Sequence, residues 1–332
     1  MQSKIKKNVP ALLKWILWVL LVQFVLFNIS ASLYAYRLTH FYIDSSLAGK
    51  KSSNILARTW RLFTGPRFIK IPPGREPSFV FENLSFITSG GTIIHGWFAR
   101  TDSAARGTVL MFHGVTAQKS QMLDEAEVFR QLGLNVLMID FRGHGRSEGR
   151  MTTLGFDEIE EVKIAWDHMT KLGEKKIFLY GVSMGAVTVS RAINELGLTP
   201  EAVIIEMPFE SLRTHLRARA RTLGFPGFPE KPFSFLVGTW IGWERGFNAA
   251  SHNTTRYAKK MRCPVLLQWG DRDEYVQSSE IQSIFQSIAS GNKKLVVYTG
   301  AGHQSLLQFD PAKWKSAVNS FISGSLQGYP AE

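Results

Sequence analysis

Six short runs of almost unbroken apolar residues, VLMF, VLMI, IFLY, VII, VLL and LVV, recur between positions 108 and 298 with helix-length amphipathic stretches between them. A strand with one face in water alternates apolar and polar side chains, so a continuous run requires cover on both faces. Such strands belong to a mostly parallel sheet whose crossover helices pack on its two faces. The pattern predicts strands over 108–113, 135–140, 176–181, 202–206, 265–270 and 294–298, with helices over 122–132, 155–172, 184–197, 278–289 and 312–322. Two further strand patterns, 79–88 and 92–99, lie close enough to form an antiparallel hairpin. The expected product is an α/β domain over 76–326 with an eight-stranded, mostly parallel sheet flanked by helices. The alternation breaks from about 207 to 262, where Gly, Pro, Trp and Arg accumulate. A stretch of that length is not an ordinary loop and reads as an inserted cap.

Ahead of this domain, positions 15–36 hold 22 residues without a charge, WILWVLLVQFVLFNISASLYAY. As a helix rising about 1.5 Å per residue they match the roughly 30 Å hydrocarbon core of a bilayer. Trp15, Trp18, Tyr34 and Tyr36 stand near the ends, where amphipathic rings favour the interface. Lys4, Lys6, Lys7 and Lys14 precede the segment, while Arg37, Lys50 and Lys51 follow it beside Asp44. That modest basic excess assigns residues 1–14 to the cytoplasm. The expectation is a single-pass signal-anchor at 15–36 and a juxtamembrane connector over 37–75 that ends at Pro72-Pro73-Gly74, with the globular domain on the non-cytoplasmic side. Ser30-Ala31-Ser32 offers a competing reading, a small-x-small cleavage site that would leave Leu33 as the mature N-terminus. The apolar stretch is longer than a usual signal core and stays aromatic beyond that site, which favours retention. A buried helix of a soluble protein is the third reading.

The net charge of +12 raises nucleic acid as the first partner to consider. No recognition module and no block of five or six basic residues accompanies it, only short groups such as Arg213, Arg217, Arg219 and Arg221. Nucleic acid is therefore not expected; an anionic bilayer surface is the simpler partner, and a merely soluble basic surface the alternative. The one cysteine, Cys263, excludes an intramolecular disulfide and a cysteine-based zinc site. It precedes Pro264 at the start of an apolar run and reads as a small core residue.

Directly after the run KIFLYG comes Gly181-Val182-Ser183-Met184-Gly185, followed by a helical pattern. The pentapeptide G-x-S-x-G recurs by chance, but between a strand and a helix it describes a nucleophile elbow. Such a turn strains the serine backbone and exposes its Oγ above the sheet, and the flanking glycines permit close backbone approach. A serine hydroxyl needs a base to take its proton. His303, in Thr299-Gly300-Ala301-Gly302-His303 after the run KLVVY, arrives over the carboxyl ends of the parallel strands, where Ser183 also points. His252 lies in the cap stretch without such a strand end and reads as a surface histidine. An acid must orient the imidazole. Gly270-Asp271-Arg272-Asp273 follows the run VLLQWG, so either aspartate can serve, with Glu206 at the end of an earlier strand a remote third. His113-Gly114-Val115-Thr116 follows TVLMF, and the backbone N–H groups of Val115 and Met184 are the expected oxyanion donors. The His113 ring is expected to fix that turn. The sequence DFRGHGRS at 140–147 lacks both G-x-x-x-x-G-K-[ST] and G-x-G-x-x-G, so it reads as a rigid hydrogen-bonded turn and not a phosphate site.

Taken in order, HGVT, DFRGHGRSEG, GVSMGA, GDRDEYV and GAGH resemble the α/β-hydrolase superfamily. They look most like the branch that holds serine aminopeptidase-type, monoacylglycerol lipase-type and related membrane-anchored hydrolases, over roughly residues 80–322. The resemblance implies the α/β-hydrolase fold and a serine hydrolase in which Ser183, Asp273 and His303 are catalytic and Val115 and Met184 form the oxyanion hole. It puts the acid three residues after the glycine, hence at Asp273, and leaves Asp271 as a loop-fixing carboxylate. Relatives commonly place a proline after the valine where this chain has Glu274-Tyr275-Val276-Gln277, so a differently shaped rim is expected. Neither cofactor nor metal is implied. The branch includes esterases, lipases, thioesterases and peptidases, and fold does not choose among them. Carboxylic-ester hydrolysis is the leading expectation, on a small-molecule or lipid acyl ester. A peptidase, amidase or thioesterase is the alternative, and a non-catalytic binding protein the remotest. The cap run FSFLVGTWIGW at 233–243 is expected as cap core, with an acyl tunnel or a bilayer contact as alternatives.

Overall fold

The computed structural model describes residues 10–44, 54–72, 74–222 and 229–327. In chain order its elements are α1 (Ala11–Leu38), β1 (Phe41–Tyr42), α2 (Ile55–Thr64), β2 (Phe68–Ile69), β3 (Glu82–Ile87), β4 (Ile93–Ala99), β5 (Thr108–Phe112), α3 (Leu123–Gln131) and β6 (Asn135–Ile139). There follow α4 (Ile159–Lys171), β7 (Ile177–Val182), α5 (Met184–Leu196), β8 (Ala202–Glu206), α6 (Leu212–Thr222), α7 (Glu230–Arg245) and α8 (Thr254–Ala258). The chain closes with β9 (Val265–Gly270), α9 (Ser278–Ser287), β10 (Lys293–Tyr298), α10 (Leu306–Phe309) and α11 (Pro311–Gln327).

Eight strands form one sheet in the order β10-β9-β8-β7-β5-β6-β4-β3. β3 pairs antiparallel with β4, Glu82 opposite Phe98, and β4 pairs antiparallel with β6; every other neighbouring pair is parallel. Every residue of β5, β6, β8 and β9 is buried, which is the physical reason their sequences do not alternate. Edge strand β3, with one face toward solvent, does alternate. The expected strands and the hairpin are present with ends shifted by a few residues. The last helix starts on Pro311, whose missing N–H costs nothing in a first turn, and continues to Gln327 because Ser325 still packs inward.

The cap stretch holds α6, α7 and α8. Pro232 sits in the first turn of α7, where no intrahelical donor is needed, and Gly246 ends the helix in the left-handed conformation at φ 75°. Within the run 233–243, Val237, Gly238 and Ile241 are buried while Phe235 and Trp243 are 57% and 76% exposed.

Helix α1 extends beyond the predicted span at both ends, and its two parts have different surroundings. All side chains over 11–27 are exposed, and the helix is long and apolar enough to cross a membrane by length and composition. Farther on, Ala31, Tyr34, Ala35 and Leu38 are buried against Leu154 and the cap residues Leu212, Leu216, Val237 and Ile241. Tyr34, read from sequence as an interfacial ring, is only 2% exposed and meets Phe233 edge-on at 5.0 Å. Trp240 Nε1 donates to Asn28 Oδ1 at 3.3 Å, and Ser32 Oγ donates to Glu244 Oε1 at 3.1 Å. Ser30-Ala31-Ser32 thus lies inside a continuous helix and a packed contact. Downstream, β1 and β2 pair in parallel, Phe41 N–H donates to Arg150 O at 2.7 Å, and Gln118 Nε2 donates to Pro72 O at 2.7 Å, so residues 37–75 are in part tied to the sheet domain. Lys4, Lys6, Lys7, Lys50, Lys51 and Pro73 lie outside the described residues.

Candidate active site

Ser183 stands in the turn between β7 and α5 with φ 52° and ψ −112°, a conformation an L-residue adopts only under constraint. The constraint is legible in its glycines. A Cβ on Gly181 would meet the Gly185 backbone, and a Cβ on Gly185 would run into the Phe112 carbonyl at the end of β5. The turn therefore closes tightly against the neighbouring strand. Ser183 N–H donates to Glu206 O at 2.7 Å, which fixes the elbow to β8.

The loop after β10 brings His303 to this serine, with Nε2 3.0 Å from Ser183 Oγ. Its Nδ1 lies 2.6 Å from Asp273 Oδ2. The other oxygen of Asp273 accepts the N–H groups of Tyr275 at 2.8 Å and Val276 at 3.0 Å, so the carboxylate is locked with one lobe toward the imidazole. Asp271 points elsewhere and accepts the Gly300 N–H at 2.7 Å, holding the loop that carries His303. Glu206 is fully buried beneath the elbow, where Gln268 Nε2 and Trp314 Nε1 donate to its Oε1 at 3.0 and 2.6 Å. Burial pushes its carboxyl up to about 8, so it is a protonated structural acid at neutral pH.

Across the site, the turn after β5 carries Val115. Met184 opens α5, so its N–H has no partner four residues back, and the Val115 N–H donates to no backbone group among the described residues. His113 uses both ring nitrogens structurally: Nδ1 lies 2.7 Å from Gly114 O, and Nε2 accepts the Phe141 N–H at 3.1 Å. Burial holds this ring down at about 4, hence neutral. The expected rigid turn at 140–147 is built around Asp140, whose side chain takes the Lys119 and Arg146 N–H groups at 2.8 and 2.9 Å and pairs with the Lys119 ammonium.

A cavity of about 920 Å³ opens over the serine and histidine. Gly74 and Arg75 from the connector, Gln118 and Gln121, Glu125, and the cap residues His215 and Arg219 form parts of its wall. Sequence reading missed His215 and Arg219 because arginines crowd that stretch; their four-residue spacing on one helix was the available signal. Tyr275 also lines the cavity, its ring centroid 5.3 Å from that of His303, which is how the unusual residues after Asp273 shape the rim. No residue of the run 233–243 lines this cavity; Ser234, Phe235, Gly238, Thr239, Gly242 and Trp243 line a separate one of about 250 Å³.

His252 corrects a reading. It is 0% exposed, with Nδ1 3.0 Å from Tyr257 Oη and Nε2 3.0 Å from Leu154 O, under the rings of Phe156 and Phe209. It ties the cap to the loop before α4, a contact that only the folded cap creates. Cys263 packs against the core as expected, and burial pushes its thiol up to about 12.

This strand order, with a strained serine after β7 and a histidine after β10 on either side of one cavity, defines an α/β-hydrolase. More narrowly, the chain belongs to the hydrolase family described as serine aminopeptidase, S33, whose model matches residues 103–223 and 230–311. Among relatives, it is 27% identical over 222 residues to the uncharacterized protein YqkD of Bacillus subtilis, covering 65% of this chain and 70% of that one. It is 25% identical over 191 residues to the lysophosphatidylserine lipase ABHD12 of Danio rerio, 54% of this chain and 47% of the fish protein. Among solved structures, the Pyrococcus furiosus esterase Pf2001 superposes with a TM-score of 0.62 at 26% identity, covering 76% of this chain and 97% of the esterase.

Proposed function

We propose that this protein hydrolyses carboxylic esters through an acyl-enzyme on Ser183, with His303 as the base and Asp273 as its orienting acid. The observation that carries the reading is the position of His303, whose two nitrogens stand 3.0 Å from Ser183 Oγ and 2.6 Å from Asp273 Oδ2. With Nδ1–H held by the carboxylate, Nε2 is the acceptor. It takes the serine proton as Oγ adds to the carbonyl carbon. The resulting oxyanion is stabilised by the N–H groups of Val115 and Met184. As the C–O bond breaks, His303 returns the proton to the leaving alkoxide, and water then repeats the sequence to release the acid.

An aminopeptidase is the competing class, and it needs an ionised carboxylate for the substrate ammonium. The cavity acids are poorly suited to that task. Asp124 pairs with Arg75, Glu206 is pushed up to about 8, and burial also raises Glu125. The names of the Pyrococcus esterase and the zebrafish lipase support ester chemistry. The test is labelling with a fluorophosphonate. Ser183 should be the residue modified, and Ser183→Ala should lose labelling and about 10⁴-fold or more in kcat. Full turnover by that variant would end the reading.

The exposed part of α1 completes the proposal. Residues 11–27 supply about 26 Å of helix, close to the roughly 30 Å of the hydrocarbon core, and the cap then stands at the bilayer surface because the remainder of α1 is packed into it. The lysines before the helix favour a cytoplasmic N-terminus, with Ser183 on the other side.

A further inference from the structure

We propose that the cavity takes esters bearing an anionic group, a phosphate or a carboxylate, and that Arg219 is the residue that binds it. The proposal rests on the ester-hydrolase reading and names its substrate class. Arg219 lies on α6 and lines the same cavity as Ser183 and His303. Its guanidinium stands 5.2 Å from the Phe68 ring centroid and 5.3 Å from that of Tyr275. The Tyr275 ring in turn lies 5.3 Å from the His303 ring, so a single ring separates this charge from the imidazole.

What sets Arg219 apart is its lack of an acid. Its Nε donates to His215 Nε2 at 3.4 Å, and among the described residues no carboxylate pairs with it. The cavity's other arginine, Arg75, is paired with Asp124, and farther along α6 Arg221 reaches Glu230 at 3.4 Å. His215 is buried four residues before Arg219 on α6, against the Phe209 ring at 4.9 Å. Burial, reinforced by Arg219 itself, keeps His215 far below its ordinary range and therefore neutral. A neutral imidazole can accept from the guanidinium and position it without competing for an anion.

Two rings flank the guanidinium, and among the described residues its terminal nitrogens make no hydrogen bond, the one bond it makes being from Nε. That is the arrangement in which arginine grips phosphate or carboxylate with two parallel hydrogen bonds. Among the described residues of the cavity wall, Asp124 is paired with Arg75, and burial raises both Glu125 and Glu206, so none of these acids offers Arg219 an ionised partner.

Two matched pairs of esters test the assignment on the full-length protein in detergent. Para-nitrophenyl butyrate against mono-para-nitrophenyl succinate puts a carboxylate on the acyl side. Monobutyrylglycerol against its 3-phosphate puts a phosphate on the alcohol side. The wild-type protein should prefer the anionic member of at least one pair in kcat/KM, and which pair it is identifies the source of the charge. Arg219→Gln should reduce that preference roughly 10- to 100-fold, mainly through KM, and Arg219→Lys should keep part of it. Calorimetric titration with inorganic phosphate and with succinate should show binding that Arg219→Gln weakens about tenfold or more. Preference for the neutral member of both pairs, or an anionic preference and anion binding that survive Arg219→Gln, overturns the proposal. Absence of Ser183-dependent turnover on all four esters, with anion binding still dependent on Arg219, sinks the ester reading and leaves the anion site.

Discussion

Replacing Asp273 by asparagine swaps one oxygen for an NH₂ group, and the surrounding donors decide which. Oδ1 accepts two backbone N–H groups, from Tyr275 at 2.8 Å and Val276 at 3.0 Å, so the amide oxygen must stay there. The amide NH₂ then faces His303 Nδ1, where the carboxylate oxygen stood at 2.6 Å. An NH₂ only donates, so Nδ1 must become the acceptor and the ring proton moves to Nε2. Nε2–H now points at Ser183 Oγ, 3.0 Å away, and can no longer take its proton. Turning the amide over would set its NH₂ against two N–H donors and leave buried groups unpaired, at about 1–3 kcal/mol each. We expect Asp273→Asn to lose roughly 10³- to 10⁴-fold in kcat on para-nitrophenyl butyrate, about 4–5.5 kcal/mol in the barrier, with an unchanged circular dichroism spectrum. Asp271→Asn keeps an oxygen for the Gly300 N–H and should stay within about threefold of wild type. A loss below tenfold at Asp273, or a larger loss at Asp271, would refute the assignment of the acid.

Glu206 makes stability depend on pH. Its carboxyl is raised to about 8 in the folded chain and ionises near 4.5 when unfolded, so the stability it contributes at low pH declines between those values and is flat above them. Glu206→Gln should flatten the melting temperature across that window; an unchanged slope would mean that another group carries it. A chain beginning at Ser78 loses Tyr34, Leu38 and Phe41 from the core, and it should melt about 10 °C or more below a chain beginning at Ser30. Equal melting temperatures would show that the contact between α1 and the cap contributes nothing. Full-length protein should stay in the membrane pellet through alkaline carbonate, and protease added outside intact cells should digest the hydrolase domain. Protection of that domain would invert the topology, and a mature N-terminus at Leu33 would identify a cleaved signal.

The sheet and the serine turn were legible in one dimension because their causes are local. Burial on both faces of β5, β6, β8 and β9 removes the polar alternation from consecutive residues, and the strain at Ser183 is enforced by glycines two positions to either side. The choice between Asp271 and Asp273 was not local. Both follow the same strand, so the residues alone left the choice open and the motif resemblance favoured Asp273; the fold turns one carboxylate toward Gly300 and the other toward His303.

Where sequence reading stopped, the missing information was the identity of the covering surface. Lipid tails and a packed cap select the same apolar side chains, so Tyr34 looked like an interfacial ring until α7 was seen lying against it. His252 looked exposed in a stretch without periodicity, yet it is enclosed by rings from three separate segments, Phe156, Phe209 and Phe247. Arg219 was one arginine in a basic run; its contact with His215 is local to the helix, but only the folded cap puts it on the wall of the cavity that holds Ser183 and His303. Each of these outcomes depends on contacts such as that between Trp240 and Asn28, 212 residues apart in the chain. A sequence specifies such contacts only through the complete fold, because burial of either partner is a property of the pair.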